Sequence, residues 1–310
     1  MNCPIGDGEP TVSLVNEPLT MKSFDRSSEF QRAIAQSRTS VITLLDAAEA
    51  ARFNFSHRPA DDSLAARERS GQAAFAGEWG EEPIDDCRMI ISMLMSAAEF
   101  HMWGFCDLVM AEKTGPNTLD VLARAAIENL ARALWLSEPS IGATERLKRM
   151  QTERLYSAAE EAKLDAERRR DAEERKQRIL ATAAALGWKS LKSEKGRPKR
   201  FVVRPQATEL AGQLMLDVDD RGLGKFLYRL LSASTHGTTY ALARFIHAID
   251  DHPEGRDDLG VLAVSSTEVN LLSSALVFAY ISAMRSWLLY LGWNDDPTWQ
   301  KAQANSLGAL

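Results

Sequence analysis

Apolar residues recur at three- and four-residue intervals along most of this chain of 310 residues, which is the spacing of an amphipathic helix. Alternating strand patterns are almost missing, since only residues 200–204 look extended and Pro205 ends them. The chain is therefore predicted to be all-α and to fold as a helical bundle. The expected helices cover residues 27–53, 64–71, 86–112, 118–137, 143–185, 208–216, 224–249 and 266–291.

The composition of the chain changes near residue 84. Residues 1–84 are predicted to form an N-terminal arm, in which one helix is followed by a long polar connection with several glycines. Residues 85–310 are expected to form the bundle domain, because the most apolar helical patterns lie there. With 45% hydrophobic residues, the chain has enough apolar material for a sizeable core.

The segment from Glu145 to Arg178 is the most charged part of the sequence, with 20 charged residues among 34. A narrow seam of leucine, methionine and alanine runs through it, which predicts one long helix packed along a single edge. Because this seam lacks clean heptads, a solvated face on a packed hairpin arm is favoured over an intermolecular coiled coil.

The net charge of −6 argues against a protein that binds nucleic acid through bulk positive charge. A local exception lies between residues 189 and 204, where seven basic residues accompany one acidic residue. This loop is either a phosphate-contacting element or a solvated loop that neutralises its acidic surroundings. Its basic residues are Lys189, Lys192, Lys195, Arg197, Lys199, Arg200 and Arg204.

The three cysteines lie far apart, without the spacing of a disulfide framework or a zinc site, which is typical of a reducing cytoplasm. No secretory signal is visible at the amino terminus, and the uncharged stretch 269–284 is shorter than a typical span of about 20 residues. We therefore expect a cytoplasmic protein with no membrane partner. His247 and His252 lack metal-ligand spacing, so neither a metal nor a cofactor is expected.

The pattern most typical of a functional site lies in residues 226–240. At about 100° per residue, a guanidinium, a hydroxyl, an imidazole and a phenol fall on one stripe of the predicted helix. Arginine offers a bidentate fork for phosphate, and histidine changes its charge near neutral pH. The alternative is that the histidine caps or packs at a helix junction beside Gly237. The stripe consists of Arg229, Ser232, His236 and Tyr240.

A second charged cluster lies in the predicted helix 118–137. Arg124 and Glu128 are i,i+4 neighbours, and Trp135 falls near the same side. A surface salt bridge is the plain interpretation and contributes little stability. Because the helix is otherwise apolar, the pair is also consistent with a bundle interior or a dimer seam, where Glu128 would orient Arg229 or His236.

These two motifs together resemble those of the HEPN superfamily. Arg229 precedes His236 by six intervening residues, which fits the Arg-x(4–6)-His pattern, and Arg124-Ala-Ala-Ile-Glu128 lies upstream of it. The resemblance covers roughly residues 86–291. It implies a HEPN-like all-α bundle, often dimeric, and a metal-independent ribonuclease of toxin–antitoxin, abortive-infection or CRISPR systems.

On that hypothesis His236 acts as base or acid on RNA, and Arg229 holds the scissile phosphate. Ser232 and Tyr240 are auxiliary donors, while Glu128 and Arg124 position the pair. The basic loop binds flanking phosphates, a homodimer brings two sets to one groove, and an antitoxin or defence partner is expected. The alternative is a non-catalytic helical module that binds a nucleotide or a partner protein.

Overall fold

The computed structural model describes residues 28–55, 58–111, 116–191, 199–215, 223–239, 241, 246–248, 260–262 and 265–308. Within these residues the chain is all-α apart from one antiparallel pair of three-residue strands, so the predicted fold class is confirmed. The strands are β1 (Ile246–Ala248) and β2 (Gly260–Leu262), and a 3-10 turn covers Gln72–Phe75. The helices are α1 (Ser28–Phe55), α2 (Leu64–Ser70), α3 (Pro83–Leu108), α4 (Pro116–Ser137), α5 (Ala143–Glu161), α6 (Ala166–Ala185), α7 (Ala207–Leu214), α8 (Leu223–Thr235), α9 (Ser266–Leu291) and α10 (Pro297–Gly308).

Helices α3, α4 and α9 form the centre of the bundle. Helix α4 packs against both α3 and α9, and all three supply residues to one hydrophobic core. Helix α9 begins at a capping box formed by Ser265 and Glu268. It then runs almost entirely through the interior, where the hydroxyl of Tyr280 donates a 2.7 Å hydrogen bond to buried Glu99 of α3. The stretch 269–284 is therefore a core helix, as its sequence indicated.

Helix α1 shares this core. It packs against α9 and α10, and its apolar residues, such as Val41 and Leu44, are fully buried. The domain boundary expected near residue 84 stays a prediction.

The charged segment is not one long helix, so that expectation is wrong. Helix α5 ends at Glu161, and Asp165 caps the start of α6 by accepting a 2.8 Å hydrogen bond from the backbone amide of Arg168. An aspartate side chain at this position competes with the helix for backbone donors and so favours a new helix start. The two helices pack antiparallel, with Arg175 joined to Glu161 at 2.6 Å.

The helix expected over 224–249 is also wrong in its second half. Helix α8 ends at Thr235, and Gly237 has a left-handed φ of +66°. The amide of Thr238 donates to the carbonyl of Ala233 at 3.0 Å, and that of Gly237 donates to Ser234 at 2.9 Å. This pair of bonds is the Schellman motif, which glycine favours because it lacks a Cβ. Thr239 and Ala241 are helical again, and residues 246–248, where the helix was expected to continue, form β1, which pairs with β2.

Two helices of the described chain, α3 and α9, are long and apolar enough to cross a membrane by length and composition alone. The most apolar window of α9 is 72% buried inside the bundle, whereas that of α3 is 39% buried. Helix α9 is thus accounted for by the core, and α3 keeps one apolar face outside it.

Candidate functional site

The side chains of Arg124, Glu128 and Tyr228 form one cluster where α8 packs on α4. The Nε of Arg124 donates to Oε1 of Glu128 at 2.8 Å, and the hydroxyl of Tyr228 donates to the same oxygen at 2.6 Å. The guanidinium also lies 5.7 Å from the centre of the tyrosine ring. Glu128 is therefore held by two donors from different helices, which fixes the orientation of the guanidinium.

Burial and the neighbouring carboxylate together set the protonation of this cluster. Burial first, and then the hydrogen bond to Glu128, raise the pKa of Tyr228 to about 12, so its phenol stays protonated at neutral pH. Burial alone would lower the pKa of Arg124, but the bonds to Glu128 and Tyr228 outweigh it and raise that pKa. The cluster is a carboxylate held between a fixed cation and a neutral hydroxyl.

His236 lies beside this cluster and is exposed to solvent. Its Nε2 is 3.4 Å from an Nη of Arg124, although 112 positions separate the two residues in sequence. Because a guanidinium only donates, Nε2 of His236 is the acceptor in any hydrogen bond between the two groups. The contact thus brings one ring nitrogen of an exposed imidazole next to a fixed cation.

The turn at the end of α8 places this imidazole. His236 is the last residue before the left-handed Gly237, and its amide bonds to the carbonyl of Ser232 at 3.1 Å. The sequence also allowed a histidine that caps or packs at a helix junction beside Gly237. This alternative describes the backbone position of His236. It does not describe a packed side chain, because the imidazole is exposed.

The four-residue stripe is only partly present. Arg229 is exposed on α8, and none of the contacts recorded among the described residues joins it to His236 or Glu128. Ser232 is half-buried, and Tyr240 lies outside the described residues. The arginine beside His236 is Arg124, and the partner of Glu128 on α8 is Tyr228 rather than Arg229 or His236.

The sequence did contain one signal for the missed tyrosine. Tyr228 lies next to Arg229 but faces the apolar side of α8, where a buried phenol needs a hydrogen-bond partner. The only acidic residue of the second half of α4, Glu128, was an available acceptor.

The seven basic residues of the loop do not form one exposed group. Lys189 and Lys199 are exposed, Arg200 is buried, and Arg204 binds Glu153 through two hydrogen bonds while stacking on Tyr156 at 4.5 Å. Lys192, Lys195 and Arg197 lie outside the described residues. Burial alone would lower the pKa of Arg204, but the bonds to Glu153, with smaller contributions from Tyr156 and Glu128, raise that pKa.

The arrangement can bind an anion and transfer a proton. Arg124 presents a fixed cation, and His236 presents an exposed imidazole next to it. Among the described residues, no group of three histidine, cysteine, aspartate or glutamate side chains is placed to hold a metal ion.

Comparisons of the chain with models of protein families, with curated proteins and with solved structures found no match. The resemblance to the HEPN superfamily therefore stays a prediction.

Proposed function

We propose that the chain is a metal-independent ribonuclease of the cytoplasm, in which Arg124 and His236 act on one phosphodiester of RNA. The observation that carries the proposal is the 3.4 Å approach of an exposed imidazole to a guanidinium that Glu128 holds in place. Two groups from distant parts of the chain thus meet at an accessible edge, with the chemistry that phosphate binding and proton transfer need.

The reaction needs one base and one cation. When the scissile phosphate draws the guanidinium of Arg124 away from His236, Nε2 takes the proton of the ribose 2′-hydroxyl, and the 2′-oxygen attacks phosphorus. The bond from phosphorus to the 5′-oxygen breaks, the leaving 5′-oxygen takes a proton from water, and the imidazolium returns its proton to solvent. The products are a 2′,3′-cyclic phosphate and a 5′-hydroxyl end.

Arg124 replaces Arg229 in this proposal as the group that binds the scissile phosphate. Its guanidinium stabilises the charge that develops on the phosphate oxygens, and Glu128 and Tyr228 position it. Arg229, with Ser232 on the same helix, binds a neighbouring part of the RNA. The exposed Lys189 and Lys199 bind flanking phosphates.

The test is cleavage of a labelled single-stranded RNA in the presence of EDTA. We expect His236→Ala and Arg124→Ala each to lower the rate at least 100-fold, and Arg229→Ala to lower it less than 10-fold. Arg170→Ala serves as the matched control, because Arg170 is an exposed arginine on α6, away from the cluster.

The products give an independent reading of the same experiment. A 2′,3′-cyclic phosphate end supports attack by the 2′-hydroxyl. Cleavage that His236→Ala leaves unchanged contradicts the proposal, as does an effect of Arg229→Ala that exceeds that of Arg124→Ala. A toxin or antiphage role predicts that the wild type slows bacterial growth and that His236→Ala does not.

We propose further that the enzyme is a homodimer joined through α3. Met89, Met93 and Phe100 are 57%, 63% and 75% exposed and follow one stripe of this helix. If two copies run antiparallel about a point between Ser96 and Ala97, Phe100 meets the partner's Met93, and Met89 meets the partner's Gly104, which leaves room for it. The stripe offers on the order of 400 Å² of apolar surface per copy, about half of the roughly 800 Å² that each partner buries in a standard interface, so the dimer also uses residues beside the stripe.

Charge argues against an anionic lipid surface as the occupant. Helices that bind in the membrane interface carry lysine and arginine beside their apolar face. The exposed carboxylate on the α3 stripe is that of Asp107, which anionic lipids repel, and Arg88, the one arginine of α3, is held in an ion pair with Asp85.

Analytical ultracentrifugation tests this interface. We expect a dimer for the wild type, a monomer for Phe100→Glu and a dimer for Leu164→Glu, whose leucine is equally exposed at the end of the α5–α6 hairpin. RNA cleavage should fall with Phe100→Glu if the two sites act in one groove. A monomeric wild type would contradict the interface.

A non-catalytic module that binds a nucleotide or a partner protein is the second candidate. The observation in its favour is the Arg124–Glu128–Tyr228 cluster, whose three side chains satisfy one another without a ligand. In that case His236→Ala leaves RNA intact and Tyr228→Phe lowers the melting temperature. Thermal melts of both variants, together with the cleavage assay, separate the two functions.

A further inference from the structure

A second concave site lies at the carboxyl end of α4, between α7 and the last turns of α9. It encloses about 400 Å³ and has walls from three helices. Leu134 and Trp135 come from α4, Gln213 comes from α7, and Ser282 and Arg285 come from α9. Its volume lies within the range of about 300–1,000 Å³ that is typical of small-molecule sites.

The charges in this groove favour an anion. Glu138 is the one acidic side chain that lines the groove. It forms a 2.6 Å ion pair with Arg149 and accepts a 2.6 Å hydrogen bond from the hydroxyl of Ser140. Arg285 is exposed, and no ion pair is recorded for it among the described residues. The groove therefore presents one available positive charge, that of Arg285, and its one carboxylate is turned to a hydrogen bond and an ion pair with other partners.

The position of Arg285 within α9 is unusual for a surface charge. It is the only aspartate, glutamate, lysine or arginine of α9 after Glu268, on a helix most of whose residues are buried. Ser282 lies three positions earlier and thus on the same face of the helix. Together the two residues offer a guanidinium fork and a hydroxyl to the same ligand group.

The rest of the groove is apolar. Leu134, Leu289 and Trp135 line it, and the guanidinium of Arg149 lies 5.3 Å from the centre of the Trp135 ring and holds that ring in place. Gln213, on the opposite wall, adds an amide that can both donate and accept. A ligand that fills this space needs a body with apolar surface as well as an anionic group.

We propose that this groove binds a small organic anion, in which a carboxylate or a monophosphate on a planar body pairs with Arg285 and Ser282. The site is separate from the ribonuclease cluster, since 11 residues of α4 between Arg124 and Trp135 correspond to about 16 Å of helix. The proposal does not rest on the ribonuclease function.

Isothermal titration calorimetry with three probes tests it. Adenosine 5′-monophosphate and benzoate carry the two anionic groups on planar bodies, and inorganic phosphate lacks a body. We expect at least one of the two planar anions to bind the wild type with a Kd below about 1 mM, and inorganic phosphate to bind at least 10-fold more weakly. The better planar probe identifies which anionic group the site takes.

Variants then assign the binding to the groove. Arg285→Ala should weaken the planar probe at least 10-fold, and Arg285→Lys should restore part of the loss. Arg170→Ala, on α6, should change the affinity less than 2-fold, and so should Arg124→Ala, which separates this site from the ribonuclease cluster. Because Arg285 is exposed, its removal should leave the melting temperature within about 2 °C of the wild type.

Three results would overturn the proposal. They are the absence of binding by both planar anions at 1 mM or below, equal binding by Arg285→Ala, and inorganic phosphate binding as tightly as the planar probes. A loss of binding in Arg124→Ala alone would place the ligand in the ribonuclease cluster instead of this groove.

Discussion

Arg146 is a fully buried charge, and the perturbation that isolates its role is Glu68→Gln. The guanidinium of Arg146 has no exposed area, and it donates to Glu68 at 2.9 Å and to the backbone carbonyls of Leu136, Glu138 and Ile141. It also stacks on the ring of Tyr290 at 4.1 Å. The hydroxyl of Tyr290 donates to Glu68, so the carboxylate joins α2, α5 and α9.

The expected loss follows from the burial of this pair. Removing one partner of a buried ion pair leaves the other charge uncompensated and costs about 3–5 kcal/mol. Glutamine keeps an oxygen that accepts from Arg146 and Tyr290, so we expect the lower end, about 3 kcal/mol. Glu145→Gln is the matched control, because it breaks a 3.3 Å pair with Arg149 on a side chain that is 42% exposed. Such a pair contributes about 0.5 kcal/mol or less.

Urea unfolding at pH 7, followed by circular dichroism, measures both variants against the wild type. The free energy of unfolding should fall by about 3 kcal/mol for Glu68→Gln and stay within about 0.5 kcal/mol for Glu145→Gln. If the two variants differ by less than 1 kcal/mol, the argument that a buried, multiply bonded Arg146 needs its carboxylate is refuted.

Three further predictions concern single residues. Gly237→Ala should destabilise the fold by about 1–2 kcal/mol in urea unfolding, and Gly237→Asn by less, because a Cβ meets nothing there and the cost is the left-handed backbone alone. The absorbance of tyrosinate at 295 nm should rise in the wild type with one step near pH 12, above the pKa of a free phenol, and Tyr228→Phe should lack this step. The stability that the protonated phenol of Tyr228 contributes should be lost as the pH rises from 10 towards 12. A midpoint near 10 would contradict the hydrogen bond to Glu128. In a Cys3→Ser variant, Cys87 and Cys106 should react with a thiol reagent only as fast as the chain unfolds, because burial raises both pKa values to about 12.

The positions of most helices could be predicted, because apolar periodicity records which face is buried. The end of α9 at Leu291 was placed at its observed residue, and the boundaries of α1, α2 and α4 came within two residues. Two helix breaks were missed, since the charge pattern continues across the first and apolar residues at helical spacing continue beyond the second. Asp165 and Gly237 mark the two missed breaks, and both are residue types that favour helix ends.

In the candidate site, the contact between residues of one helix could be predicted from the sequence, and the contact between different helices could not. The pair of Arg124 and Glu128 could be predicted because four residues on one helix bring two side chains together. The contact of Arg124 with His236 could not, since it depends on how α7 and α8 pack on α4 rather than on spacing within a helix.

Packing between helices, rather than spacing along one helix, therefore holds the site together. A row of four residues on one helix would keep its spacing whenever that helix forms. Here the imidazole and the guanidinium belong to different helices, and the buried Leu227 and Leu231 of α8 fix the distance between them through the core. Leu231→Ala should therefore lower RNA cleavage in the fraction of molecules that stay folded, although Leu231 touches no substrate. The Leu155→Ala variant, altered in the separate α5–α6 core, should lose stability without this loss of rate per folded molecule.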